Sequence, residues 1–202
     1  MDLVETDAGV ELRHDGQVVA SAIEWDGVIE LPAPPSRSSL DGAVHDFDLD
    51  GYARGHPFDR CFTCGPARTE GDGLRIFPGA IKDSRMVAWR WTPSPSTAGD
   101  DGLVEPLVLW AALDCPSGLC WINAPDGMSS GPAVLGRLAV RIDRRPEVGE
   151  ALVVGGWQTG ADGRKLFAGS AVWAADGEVL ASGAATWVVL DPQQAEAFGV
   201  RA

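Results

Sequence analysis

The sequence predicts an α+β domain in which a curved antiparallel sheet wraps around one central apolar helix, with an N-terminal β extension. Three observations carry this. The run Leu107-Val108-Leu109-Trp110-Ala111-Ala112-Leu113 is apolar on every side, so a helix here is expected to be buried all round. Four strand patterns follow, at about Val134–Asp143, Glu150–Trp157, Lys165–Trp173 and Val179–Leu190. Gly155, Gly156, Gly169 and Gly183 interrupt those strands, and small residues let a helix come close and a sheet curve around it.

Taken in order, Val10–Arg13 and Gln17–Ile23 flank Asp15-Gly16, a strong signal for a short hairpin. The stretch Pro32 to Ser39 reads as a linker, and a short helix from about Leu40 to Tyr52 is expected, capped by Ser39. Residues 53–72 are rich in Gly, Pro and Asp and read as an irregular loop. Leu74-Arg75-Ile76-Phe77 is the first expected strand of the main sheet, ended by Pro78-Gly79. The second is Arg85–Trp91, half-buried, with Val87, Trp89 and Trp91 on one face.

Pro106 suits the first turn of the central helix, and Pro116 with Gly118 is expected to kink or interrupt it before Leu119–Ile122. The short connections Pro146–Gly149, Asp162-Gly163 and Asp176-Gly177 predict that the last four strands form an antiparallel meander. The boundaries that result are an extension over 1–52, a main domain over 53–192 and a tail over 193–202.

Composition narrows the function. With 45% hydrophobic and 22% charged residues, a 202-residue chain can bury a full core. The net charge of −13 argues against a nucleic-acid partner and against anionic membranes, because phosphate binding needs a basic face. The acidic N-terminus is unlike a secretory signal and no run is long enough for a membrane helix, so a cytoplasmic location is expected. There the four cysteines, Cys61, Cys64, Cys115 and Cys120, are expected to remain thiols.

The segment Cys-Phe-Thr-Cys-Gly-Pro at 61–66, followed by Gly73-Leu74-Arg75-Ile76, resembles the entry segment of bacterial hotdog proteins similar to the phenylacetate-pathway thioesterases. Trp110-Ala111-Ala112-Leu113-Asp114-Cys115-Pro116 resembles a thioesterase-like subgroup of the same superfamily. The strand order agrees over about residues 60–190, while 1–50 match nothing specific. The resemblance implies a hotdog fold and a homodimer or homotetramer, with an acyl-CoA thioester bound in clefts between subunits; no cofactor is expected beyond the coenzyme A thioester that serves as substrate. One departure stands out: the His-Gly-Gly expected before the central helix is replaced by Asp101-Gly102-Leu103-Val104-Glu105-Pro106.

Asp114 is the candidate catalytic residue, as the only charge between Pro106 and Ile122. The resemblance implies that a carboxylate near this position attacks the thioester or activates water, with the helix N-terminus polarising the carbonyl. Its structural alternative is a cap that accepts from the Ser117 N–H. Arg137 and Arg141 on one strand, with Arg164 and Lys165 at the start of another, are candidates for the coenzyme phosphates. Arg144 and Arg145 read as plain surface. Among the tryptophans, Trp110 is the candidate for the acyl pocket.

The cysteines read first as buried packing thiols. Cys61-x-x-Cys64-Gly65 also has the form of half a zinc knuckle, with His56, Cys115 or Cys120 as the available partners. The three histidines all precede Cys61 and no Gly-x-Ser-x-Gly occurs, so neither a serine triad nor histidine-based hydration is expected. Acyl-thioester hydrolysis is therefore the leading function. Its rival is a non-catalytic module that binds acyl thioesters or lipid-like ligands, or mediates assembly.

Overall fold

The computed structural model describes residues 1–56, 58–122 and 132–197. It begins with a three-stranded antiparallel sheet of β1 (Asp2–Thr6), β2 (Gly9–His14) and β3 (Gln17–Ala22). Asp15 and Gly16 both have positive φ, 49° and 77°, which gives the expected hairpin between β2 and β3 a turn matched to strand twist. β1 was not expected; it adds a strand to that hairpin through a turn ending at Gly9.

The expected helix from Leu40 to Tyr52 is instead two helices, α1 (Arg37–His45) and α2 (Leu49–Gly55). The cap of α1 is Ser36, not Ser39: the Ser36 hydroxyl accepts from the Ser39 N–H at 3.2 Å. Asp48 caps α2 in the same way, accepting from the Gly51 N–H at 2.8 Å. A second capping residue within the segment starts a new helix where one was expected to continue.

The main sheet has six strands in the order β4-β5-β7-β8-β9-β6. They are β4 (Gly79–Ala80), β5 (Met86–Trp91), β6 (Ala133–Ile142), β7 (Leu152–Asp162), β8 (Lys165–Ala174) and β9 (Val179–Val189). All pairings are antiparallel. Only β7, β8 and β9 form the expected meander. β6 pairs with β9, and β7 pairs with β5. The chain from β6 to β7 crosses the end of the sheet, and turn residues indicate a short connection without fixing which edge it reaches.

Leu74–Phe77 is not a strand. Arg75 has a φ of 53°, which ends any pleat, and Leu74 and Ile76 donate their N–H groups to the carbonyls of Phe62 and Thr63. The segment is bound to the loop before it. Leu74, Ile76 and Phe77 are nonetheless buried, so the apolar pattern correctly marked core positions.

α3 (Pro106–Leu119) lies on one face of the sheet and is continuous through Pro116. Pro116 removes one helical N–H. The turn after it is held from outside: Ser117 Oγ donates to the Asp114 carbonyl at 2.6 Å and itself accepts from Trp187 Nε1 at 2.9 Å. Close approach to the sheet depends on Gly156 of β7, where a Cβ would overlap the Pro116 carbonyl. Leu109, Ala112 and Leu113 pack against Val154, Val172 and Leu180.

α3 is not buried all round. Leu107 is 81% exposed and Trp110 40%. The helix presents this side away from its own sheet. The opposite face of the sheet is covered by α1, whose Leu40 and Ala43 pack with Met86, Ala88, Trp157 and Trp173. β5 is thus buried on both faces over its first half, rather than half-buried. The short α4 (Pro192–Ala197) follows β9, and the remainder of the expected tail, 198–202, lies outside the described residues. No described helix is long and apolar enough to cross a membrane.

Candidate functional site

A cavity of about 900 Å³ opens between the C-terminal half of α3, the loop after α2 and the start of β6. Leu119, Leu135, Leu166 and Trp187 give it apolar walls, and Asp114 contributes a carboxyl to its lining. Helical spacing explains the placement: Asp114, Gly118 and Trp121 fall on one side of α3 and its last turn, with glycine leaving space between the two large groups.

Asp114 Oδ1 is buried and has no hydrogen-bond partner among the described residues. Burial, together with the Cys61 sulfur, pushes its carboxyl up to about 6. The capping alternative fails on geometry: α3 does not restart here, and the bond in this turn runs from the Ser117 hydroxyl to the Asp114 carbonyl oxygen. The helix N-terminus lies eight residues before Asp114, about 12 Å away at 1.5 Å per residue, so within one subunit the two cannot act on the same carbonyl. Trp121 Nε1 is also buried without a partner and belongs to the same cavity lining. Ser170 Oγ and Trp173 Nε1 are likewise buried without a partner among the described residues, but they lie outside the cavity lining.

Three cysteines adjoin Asp114. The sulfurs of Cys61, Cys64 and Cys115 all lie within 4.8 Å of one another, with Cys61 and Cys115 3.4 Å apart. His56 Nε2 is 3.3 Å from Cys64 Sγ. The loop is tied down by Thr63 Oγ1, which donates to the Ala111 carbonyl at 2.8 Å, and by Tyr52, whose hydroxyl donates to the Cys64 carbonyl at 3.2 Å. Hydrogen bonds from Cys115 and Cys64 hold the Cys61 thiol well below its usual range. Cys115 is pushed well up, by donation to Cys61 and Cys64 and by burial. Burial lowers His56 and raises the Tyr52 phenol. Cys120 stands apart, its thiol donating to the Ser117 carbonyl at 3.1 Å. Cys61, Cys64 and Cys115 thus form one cluster, more than isolated packing thiols.

The other sequence candidates fall elsewhere. Leu166 and Trp187 face the cavity, so their chain neighbours Lys165 and Thr186 face the outer side of the sheet. Arg137 lies opposite Thr186 and Arg141 opposite Ser182, which places both on that outer side as well. Arg141 pairs with Asp143 at 2.7 Å, and Arg164 with Gln194 at 2.7 Å and Asp191 at 3.6 Å. Trp110 is outside the cavity lining, on the exposed side of α3. Arg60, which sequence reading passed over, is at the cavity. Arg144 and Arg145 are more than plain surface: Arg144 bridges Glu150 and Glu178, and Arg145 binds Asp101 and the carbonyls of Leu103 and Val104.

No protein-family model matches the chain, and no curated protein does. Solved structures do. Zebrafish thioesterase superfamily member 2 is similar over 72% of this chain and 100% of its own, at 13% identity and a TM-score of 0.54. A Streptococcus mutans UA159 protein solved with acetyl-CoA is similar over 61% of this chain and 92% of its own, at 14% identity and a TM-score of 0.51. The chain spans 57% of the length of another thioesterase superfamily protein, at 23% identity and a TM-score of 0.48. The shared feature is the antiparallel sheet around one helix, and the fold of this chain is the hotdog fold.

Proposed function

We propose that this chain hydrolyses acyl thioesters of coenzyme A or a related carrier, with Asp114 as the group that activates water. The observation that carries the reading is the unpaired, buried carboxylate oxygen in the wall of a largely apolar cavity. A thioester carbon placed there meets a base in a poorly solvated setting. Asp114 takes a proton from water as the water oxygen bonds to the acyl carbon. Trp121 Nε1 donates to the carbonyl oxygen as it gains charge. The intermediate then expels sulfur, and Asp114 returns the proton to the leaving thiolate, giving a carboxylic acid and a free thiol. Leu119, Leu166 and Trp187 supply apolar surface for the acyl group.

The coenzyme phosphates lie outside the cavity in this reading. Arg60 is the cation at its rim, and Arg164 and Lys165 adjoin the cavity residue Leu166. Arg137 and Arg141 lie on β6, an edge strand of the sheet, where they serve a ligand seated across a subunit boundary. The functional unit is a homodimer or a homotetramer, supported by the exposed Leu107 and Trp110 on α3. Four free thiols fit a reducing compartment, and the cytoplasm is the proposed location.

The test is thiol release from a panel of short, long and aromatic acyl-CoA substrates, with wild type and Asp114→Asn side by side. The expected result is a loss of about 100-fold or more in kcat/KM for the variant. Unchanged turnover would remove Asp114 from the mechanism. Wild-type protein that retains acyl-CoA without turning it over would assign the cavity to a binding module.

A further inference from the structure

We propose that Cys61, Cys64 and Cys115, with His56 as the fourth ligand, form a tetrahedral site for a thiophilic divalent ion of the zinc class. The three sulfurs are already gathered, and His56 stands beside one of them. Zinc–sulfur bonds of about 2.3 Å set tetrahedral sulfurs about 3.8 Å apart, and a sulfur and an imidazole nitrogen about 3.5 Å apart. Cys61 and Cys115 are 3.4 Å apart, the three sulfurs lie within 4.8 Å, and His56 Nε2 is 3.3 Å from Cys64. Small adjustments bring the three sulfurs around an ion, and the His56 ring has to swing inward to complete the set, because its nitrogen is not within 4.8 Å of all three sulfurs.

The loop is shaped as a thiolate-binding turn. The Gly65 N–H donates to the Cys61 carbonyl at 2.9 Å, which closes the turn between the two cysteines. Position 65 has to be glycine, because a Cβ there would overlap backbone atoms of Asp59 and Cys61. These features hold two sulfurs side by side on one tight turn. Cys115 brings the third from α3, and the Thr63–Ala111 bond clamps loop to helix independently of any ion.

His56 changes tautomer on binding. Its Nδ1 accepts from the Phe58 N–H at 3.0 Å, which leaves the proton of the neutral ring on Nε2, facing Cys64. Ligation by Nε2 displaces that proton, and Nδ1 then carries one and gives up the Phe58 bond. Three thiolates and one neutral imidazole leave a Zn²⁺ complex with a net charge of −1 and no open position. Such a site supports structure and is a poor Lewis acid. Its role is to fix the loop that walls the cavity against the helix turn that carries Asp114. It stands whether or not the proposed hydrolysis does.

The test begins with the full chain purified under reducing conditions, with metal content measured directly. One zinc per chain is expected. Metal-free protein titrated with Co²⁺ is expected to bind one equivalent, with thiolate-to-metal charge-transfer bands and the intense visible absorption of tetrahedral cobalt. Cys61→Ser and Cys115→Ser should each lose the stoichiometric ion. His56→Gln should keep the charge-transfer bands and alter the visible ones; an unchanged spectrum overturns the assignment of His56. Wild-type protein that contains no zinc and shows no one-equivalent cobalt spectrum overturns the site, and that readout does not depend on any variant folding.

Discussion

Arg145 joins three segments. Its guanidinium pairs with Asp101, and its Nε donates to the carbonyl of Val104 at 2.8 Å, just before α3 begins. Removing it leaves that carbonyl short of a partner beside a fully buried side chain, a loss of about 1–3 kcal/mol. Chemical denaturation of Arg145→Met should show a stability drop in that range. The hydrogen bond from Arg145 also holds Asp101 below its ordinary carboxyl value. A depressed acid stabilises the fold above its unfolded pKa, about 3.9, and loses that contribution as pH falls through the folded value. The gap between wild type and Arg145→Met should therefore narrow at acid pH. Asp114 was legible in the sequence because a lone charge in an apolar run is conspicuous. Arg145 was not, because its partner lies 44 residues away. Cys115 was visible as a cysteine, but its contact with Cys61 spans 54 residues, a distance that local spacing cannot bridge.

Elements follow the same rule. α3 was readable in position and start, since Pro106 and a long apolar run are local features. Its passage through Pro116 depends on bonds from Ser117 and on Trp187 of β9, which no helix rule contains. Of the four glycines expected to admit the helix, Gly156 and Gly183 face α3, whereas Gly155 lies against Trp173 and Gly169 against Trp157; Gly156 is the sharpest case. Gly156→Ala places a methyl against the Pro116 backbone, which cannot yield as a side chain would. The expected cost is about 3 kcal/mol or more, seen as a lower denaturation midpoint. Ala168→Gly on β8, as a control, should remain folded. Leu74–Phe77 shows the opposite error: its apolar content marked burial, but Arg75 adopts a conformation that leaves the segment outside the sheet.

For the whole molecule, alternation and turn residues revealed the strands, whereas the order β4-β5-β7-β8-β9-β6 is a consequence of packing around α3. The proposed dimer gives a prediction at this scale. Leu107→Glu puts a charge on the exposed side of α3 without touching the core of its own subunit. Sedimentation velocity should find wild type as a dimer or tetramer and the variant shifted towards monomer; a monomeric wild type would end the proposal. The sheet itself has two unlike ends. At one, β4 is two residues long and lies under α1, with the Ala43 carbonyl against Gly79. At the other, β6 runs for ten residues with one side unpaired among the described residues. A stub buried under a helix offers no template for a further strand, while a long bare edge does. Edge pairing between main sheets is therefore one-sided: joining two copies through β6 would use up the long bare edge of the six-stranded sheet in each, among the described residues.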